Sequence, residues 1–281
     1  MLDALKQVDV VRVCDGHRRA DVDRAAAEEP LEVRLHGRPF AVIMRTPGAD
    51  LALTAGFLLA ERVLKSVDDL VTIEHCRDPV RPKADRAGEE IHPENIVNVT
   101  LAGESIADLD QAIAGRRQVV GNSSCGLCGR LTIASLKTDV APLAFDRSVS
   151  PAVIARLPDR LGETQAVFEE TGGLHAAGLF TVDGALETVA EDIGRHNAVD
   201  KVIGRMVIAD RLPLSDRILF VSGRTSFEIV QKAALAGIPI VGAVSAASSL
   251  AVELALEIGI TLIGFARGGR FNIYSHPERV A

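Results

Sequence analysis

Aromatic residues are scarce: the 281-residue chain has no tryptophan, one tyrosine and nine phenylalanines. A stacking platform for single-stranded nucleic acid is therefore not expected. No run of lysine and arginine is long enough to track a duplex. With 31 basic against 38 acidic side chains, the formal charge of −7 has the wrong sign for a phosphate backbone. Cysteine is equally sparse. Of the four, Cys14 and Cys76 stand alone, which excludes a disulfide framework and fits a reducing compartment. The amino terminus MLDALKQVDVVRVCDG lacks a basic start leading into an apolar stretch, so a cytoplasmic location is expected rather than export. The most apolar segment, 238–250, is interrupted by Pro239 and serines. It reads as core, and no membrane association is expected.

What is present describes a folded chain: 47% of residues are hydrophobic and the mean hydropathy is +0.20. The length exceeds a typical single core. Two units are expected, a smaller N-terminal α+β region over 1–145 and a core domain over 146–281. Residues 12–30 are polar and charged and read as an exposed lead-in. LEVRLHGRPFAVIMRT follows as a hairpin turning at His36–Pro39, and residues 51–62 have helical spacing. The proline-rich charged stretch 77–94 reads as mobile. Short strands are expected at 96–101 and at LTIASLK, on either side of the cysteine loop 121–130, and a helix at 148–161.

From about residue 171 the pattern changes. Two strands, 174–182 and 185–190, are joined by Val182-Asp183-Gly184, a strong turn signal. A helix is expected at 197–210. Buried strands ILFVSG, IPIVGAV and ITLIGFA then alternate with helices that Gly237 and Gly259 terminate. The alternation predicts α/β architecture with a mixed, largely parallel sheet. Such sheets bind ligands beyond the carboxyl ends of their strands. Here those ends are SGRT at 222–225, SAAS at 245–248 and ARGGR at 266–270.

Two regions carry chemistry. In GNSSCGLCGR, Cys125 and Cys128 lie three positions apart among glycines and serines. Two such thiols can ligate a soft metal, cycle through a disulfide or pass sulfur along. A zinc site would need further ligands, for which His75, Cys76, His92 or a second copy of the loop are candidates, because no second CxxC and no HxxxH occurs. A thioredoxin-like dithiol normally opens a long helix, whereas glycines and a β-branched LTI surround this pair. Burial of two small residues in a turn is opposed by six consecutive small or polar residues. Sulfur transfer suits an exposed, glycine-rich loop.

The second region is EDIGRHNAVDK at 191–201, where Arg195, His196, Asp200 and Lys201 crowd one turn. Asn197 or His196 capping a helix is the plain reading. Donation to a phosphate-bearing ligand, together with Arg224, Arg267 and Arg270, is the functional one. In GFARGGRFNIYSHPER, Gly268 and Gly269 let backbone amides approach an anion. His175, beside two glycines in TGGLHAAG, is either a structural histidine or a site residue.

These segments, with EEPLEVRLHG, MRTPGAD, SGRTSFEIVQKAALAGIPI and VSAASSLAVELA, resemble the FdhD formate dehydrogenase accessory sulfurtransferases over most of the chain. The resemblance implies a cytoplasmic homodimer. It would accept persulfide sulfur from a cysteine desulfurase and pass it to the molybdenum bis(guanine dinucleotide) cofactor, held as a substrate and destined for the formate dehydrogenase apoenzyme. Cys125 is then the persulfide acceptor and Cys128 its partner. The cofactor would be held by His175, His196, Arg224, Thr225, Ser226, Arg267, Gly268, Gly269, Arg270 and Asn272. The resemblance also implies a cytidine deaminase-like three-layer core. A zinc deaminase needs His or Cys, a Glu two residues on, and a later PCxxC. The corresponding stretches, 194–198 and 222–226, have Ala198 in place of Glu and no cysteine, so no tightly bound metal is expected. A cofactor-binding chaperone without sulfur chemistry, or a structural zinc or thiol-redox protein built on the CxxC pair, are the other readings.

Overall fold

A computed structural model of the chain describes residues 4–76, 92–102 and 140–281. The Cys125–Cys128 loop, segment 77–91 and the strand expected at LTIASLK lie outside the described residues. The supposed lead-in is instead a long hairpin, Leu5–Cys14 (β1) paired antiparallel with His17–Ala26 (β2). Asp15 and Gly16 both take positive φ at its tip, the geometry of the tight Asp-Gly turn. Salt bridges from Arg12 to Asp21 and Asp23 tie the strands together. The charge that suggested a lead-in thus cross-links a ribbon.

Glu29–Leu35 (β3), Arg38–Arg45 (β4), Leu70–His75 (β5) and Ile96–Leu101 (β6) form a four-stranded sheet in the order β4-β3-β6-β5. The β3–β4 hairpin turns at His36 and Gly37, both with positive φ. Alternation along β3 buries Leu31, Val33 and Leu35 on one face. Asp50–Ala60 (α1) lies against that face. Its sequence is apolar all round, and ten of its eleven residues are buried, as a helix enclosed on every side requires. Leu53, Phe57 and Leu58 pack on the four-stranded sheet, while Ala55 and Leu59 belong to a second core.

That second core belongs to Pro151–Gly162 (α2), Ala166–Thr171 (α3), His175–Thr181 (β7), Leu186–Asp192 (β8), Arg195–Ile208 (α4), Arg217–Val221 (β9), Phe227–Leu235 (α5), Ile240–Ala243 (β10), Ser249–Ile258 (α6), Thr261–Arg267 (β11) and Arg270–Ile273 (β12). The strands form one sheet, β12-β11-β10-β9-β7-β8. Helices α4, α5 and α6 cover one face and α2 the other, giving three layers. The sheet is mixed, but its parallel part is narrower than expected. Only β9–β10–β11 pair in parallel, while β7, β8 and β12 run antiparallel to their neighbours. Tight turns connect β7 to β8 and β11 to β12, and a tight turn can join only antiparallel strands. Strand β12 is absent from the sequence-based expectation because the glycines before it read as a loop.

Helix α1 meets α4 backbone to backbone. A Cβ placed on Gly204 would lie 1.8 Å from the Ala52 carbonyl oxygen, and one on Gly56 would lie 2.0 Å from that of Asp200. Neither position has room for a methyl group. Gly204→Ala is expected to destabilise the fold by about 3 kcal/mol or more, the upper range of overpacking, seen as a lowered midpoint in equilibrium urea unfolding. An unchanged midpoint would mean that the two helices do not touch.

Candidate functional site

Strand β8 ends at Asp192, which has no solvent exposure. A buried carboxylate is tolerated only when both oxygens are partnered. Oδ1 accepts from the Gly194 N–H and from Asn197 Nδ2, each at 2.8 Å. Oδ2 accepts from Lys201 Nζ at 2.7 Å and from the Thr46 N–H at 3.2 Å. Lys201 also donates to the carbonyls of Thr46 and Glu191, and Asn197 to that of Met44. Arg45, next to Thr46, forms a buried two-pronged pair with Asp50. The segments MRTPGAD and EDIGRHNAVDK are therefore stitched together through Asp192. The cap expected from Asn197 or His196 does not form: Gly194 is the N-cap of α4, without a side-chain bond to the helix.

A second buried chain links α4 to α5. Lys232 Nζ donates to both oxygens of Asp200, at 2.8 and 2.9 Å, and lies 3.5 Å from Glu228 Oε1. Glu228 Oε2 is 3.4 Å from His196 Nε2, which is 3.1 Å from Ser226 Oγ. One lysine thus serves two buried carboxylates. Burial outweighs its attraction and pushes Glu228 up to about 7 and Asp200 up to about 6. Burial opposes the charge on Lys232, yet Asp200 and Glu228 together hold its pKa above the ordinary value. His196, expected as a ligand, is buried in this interface. It supports Ser226 from behind.

The cations that face outward are different. Strand β7 is antiparallel to β9, which brings His175 at its start beside the carboxyl end of β9. His175 Nδ1 and Arg195 Cδ lie 3.3 and 3.8 Å from the point that a Cβ on Gly223 would occupy. The missing side chain of Gly223 lets both pack close to its backbone, and a Cβ there would crowd the imidazole. Among the described residues Arg195 Nε is buried without a hydrogen-bond partner, and Arg224 is exposed on the loop after β9. Burial, then the charges of Arg195 and Arg224, hold the His175 pKa below its ordinary value, against a smaller opposing pull from Asp192. Among the described residues neither arginine takes part in a salt bridge. Helices α4 and α5 both begin here without side-chain caps, so their first N–H groups face the same edge. In the sequence Arg195 is only one charge of a crowded turn; its open donor appears once β7, β9 and α4 are placed.

The other expected residues lie along the same sheet edge. Thr225 is fully buried, bridges to Ala247 and leaves its Oγ1 without a hydrogen-bond partner. Ser226 occupies the N-cap position of α5. Arg267, Gly268, Gly269 and Arg270 form the exposed β11–β12 turn, with both glycines at positive φ. Asn272 is exposed on β12 opposite Gly264. In the sheet, β11 is three strands from β7, or roughly 14 Å at the usual interstrand spacing. The edge therefore carries two cationic groups, one around His175 and one at the β11–β12 turn.

A family model described as the FdhD/NarQ family matches residues 26–281. The chain belongs to the FdhD/NarQ family. Among curated relatives, a protein of Streptomyces coelicolor is 49% identical over 97% of this chain and 94% of its own. One of Mycobacterium tuberculosis is 47% identical over 91% of each, and one of Sulfolobus acidocaldarius 42% over 98% of each. All three are named sulfur carrier protein FdhD. A crystal structure described as that of a formate dehydrogenase accessory protein from Desulfotalea psychrophila superposes with a TM-score of 0.75. It is 24% identical, covering 99% of this chain and all of that one, and supports the fold. The family model begins as β2 ends, so most of the β1–β2 ribbon lies outside the matched region.

The Asp200–Lys232–Glu228 chain sets a pH dependence. A carboxyl with a folded pKa above its unfolded value keeps an extra proton in the folded state, so its contribution to stability is lost as pH rises. For Glu228 this window runs from the ordinary glutamate value of 4.5 to about 7. Glu228→Gln removes the ionisation. The variant's thermal midpoint is expected to exceed that of the wild type most at about pH 8, with the gap shrinking towards about pH 5. A gap that is constant or grows as pH falls would contradict the raised pKa.

Proposed function

We propose that this chain is a sulfur carrier. It accepts persulfide sulfur from a cysteine desulfurase at Cys125 and delivers it to the molybdenum bis(guanine dinucleotide) cofactor, bound as substrate, for a formate dehydrogenase. The names of the family's curated members support sulfur carriage. The observation that carries the substrate side is the cationic sheet edge around His175, Arg195 and Arg224. A guanine dinucleotide brings pyrophosphate, and this edge supplies what pyrophosphate needs: guanidinium donors, an Arg195 Nε unpartnered among the described residues, and two helix N-termini without side-chain caps. Arg267 and Arg270, further along the edge, suit the more distant phosphates of the same substrate. His196 and Ser226 act behind this surface by fixing the start of α5.

In the loading step, the Cys125 thiolate attacks the outer sulfur of the donor persulfide. A sulfur–sulfur bond forms on Cys125 as the donor cysteine leaves as thiolate, with no net oxidation. Cys128, three positions on in the sequence, exchanges with or protects the loaded sulfur. The protein acts in the cytoplasm as a homodimer, with the desulfurase and the apoenzyme as its partners. The test is direct. After incubation with desulfurase and free cysteine, mass spectrometry is expected to find one added sulfur atom on the peptide containing Cys125, and Cys125→Ala is expected to abolish activation of formate dehydrogenase. Activation retained by Cys125→Ala would instead leave a chaperone that only holds the cofactor. Arg224→Ala is expected to leave loading intact and to weaken guanine nucleotide binding about tenfold, the scale of one lost charge-assisted hydrogen bond.

A further inference from the structure

We propose that His175 is a conditional cation: it takes up a proton from solvent when a phosphate group settles between Arg195 and Arg224. The cleft then meets a multiply charged anion with three positive groups. This rests on reading the cleft as a phosphate site, and it adds what decides which anion is held.

The argument begins with the charges around the imidazole. Arg195 approaches from the first turn of α4, Arg224 from the loop after β9, and Asp192 from the neighbouring strand β8. Asp192 cannot serve as a free counter-ion, because its oxygens are occupied by Gly194, Asn197, Lys201 and Thr46. The two guanidiniums form no salt bridge among the described residues, and half-burial strips His175 of some of its water. A third positive charge in that space is opposed from both sides. An anion held by Arg195 and Arg224 reverses the field, since opposite charges a few ångströms apart favour ionisation of the imidazole and like charges oppose it. His175 Nδ1 and Arg195 Cδ lie 3.3 and 3.8 Å from one point beside Gly223, so the two side chains are neighbours and one phosphate in front of them can be shared by both.

Two consequences follow from the sign of this coupling. Between the His175 pKa in the protein alone and its higher value with the anion bound, binding takes up protons, and affinity rises as pH falls. The gain is up to about tenfold for each unit separating the two values. Below both it stops, because the imidazole is then charged in either state. A diphosphate, which compensates both arginines, recruits the third cation more fully than a monoanion does. The site therefore selects for ligand charge as well as shape.

The test uses inorganic pyrophosphate as the probe. The imidazole signal of His175, assigned by its loss in His175→Asn, is followed by NMR against pH with and without pyrophosphate, and pyrophosphate affinity is measured by calorimetry across the same range. The expected result is an upward shift of the His175 titration in the presence of pyrophosphate, tighter binding as pH falls, and net proton uptake that differs between buffers of unequal ionisation heat. Arg224 is exposed, so Arg224→Gln is expected to leave the fold intact, checked by an unchanged thermal midpoint. The variant is expected to raise the titration in the protein alone and to shrink the increment. If pyrophosphate binds while His175 titrates unchanged, the inference is overturned and the phosphate reading of the cleft stands. If pyrophosphate does not bind, both fall.

Discussion

The contact between helices α1 and α4 is the constraint from which the site follows. With Gly56 and Gly204 face to face, the two backbones come closer than any pair of side chains would permit. That approach carries the loop before α1 onto the strand end before α4. There the N–H and carbonyl of Thr46 meet Asp192 and Lys201. Moving α1 outward by the width of one methyl group would open these bonds and leave Asp192 and Lys201, still paired with each other, each short of a buried hydrogen-bond partner. A buried polar group left unpaired typically costs about 1–3 kcal/mol. Close packing therefore completes the hydrogen bonding of the buried pair.

This changes how the charged turn at the start of α4 is understood. Of its four ionisable side chains, Lys201 compensates Asp192, Asp200 compensates Lys232, and His196 is enclosed between α4 and α5. Only Arg195 remains open to chemistry. The stretch after β9 divides in the same way: Arg224 in the loop is exposed, while Glu228 and Lys232 on α5 are buried. A crowd of charges in a sequence overstates a binding site, because most of those charges neutralise one another inside the fold. What is left over, on Arg195, Arg224 and the half-buried His175, is the part that an anion can use.

The sequence made the strands and helices of the C-terminal half legible because their signals are local. Apolar runs, helical spacing and terminal glycines such as Gly237 and Gly259 all act within one element. The hairpin at β3–β4 was readable for the same reason. The ribbon β1–β2 was missed although Asp15-Gly16 is itself a turn signal, since arginine and aspartate usually mark solvent and here they pair across strands. Strand β12 was hidden behind Gly268 and Gly269. The strand-end placement of Arg224 and the β11–β12 turn was also foreseeable, because open α/β sheets keep their sites there, whereas that of His175, at the start of β7, follows from the antiparallel pairing of β7 with β9. The roles of Asn197 and His196 were not, because they depend on distant partners. Asp192 accepts a bond from Thr46, 146 positions away, and no window of local sequence contains both.

The buried charges and the open ones also act on each other. Behind Arg195 lies His196, and behind His196 lies a cluster in which Asp200 and Glu228 share a single lysine. When Glu228 is ionised, this cluster carries an excess negative charge behind His196 and Arg195, and neither Arg195 nor Arg224 takes part in a salt bridge among the described residues. That backing offsets part of the repulsion between them and makes an uncompensated cationic surface tolerable in the folded chain. With its pKa pushed up to about 7, Glu228 exchanges its proton near neutrality, so the backing is adjustable. Protonating Glu228 removes that negative charge and strengthens the pull of the arginines on an external anion. The same fall in pH favours protonation of His175 at the surface. Both layers therefore respond in one direction: the cleft becomes more attractive to phosphate as pH falls through neutrality.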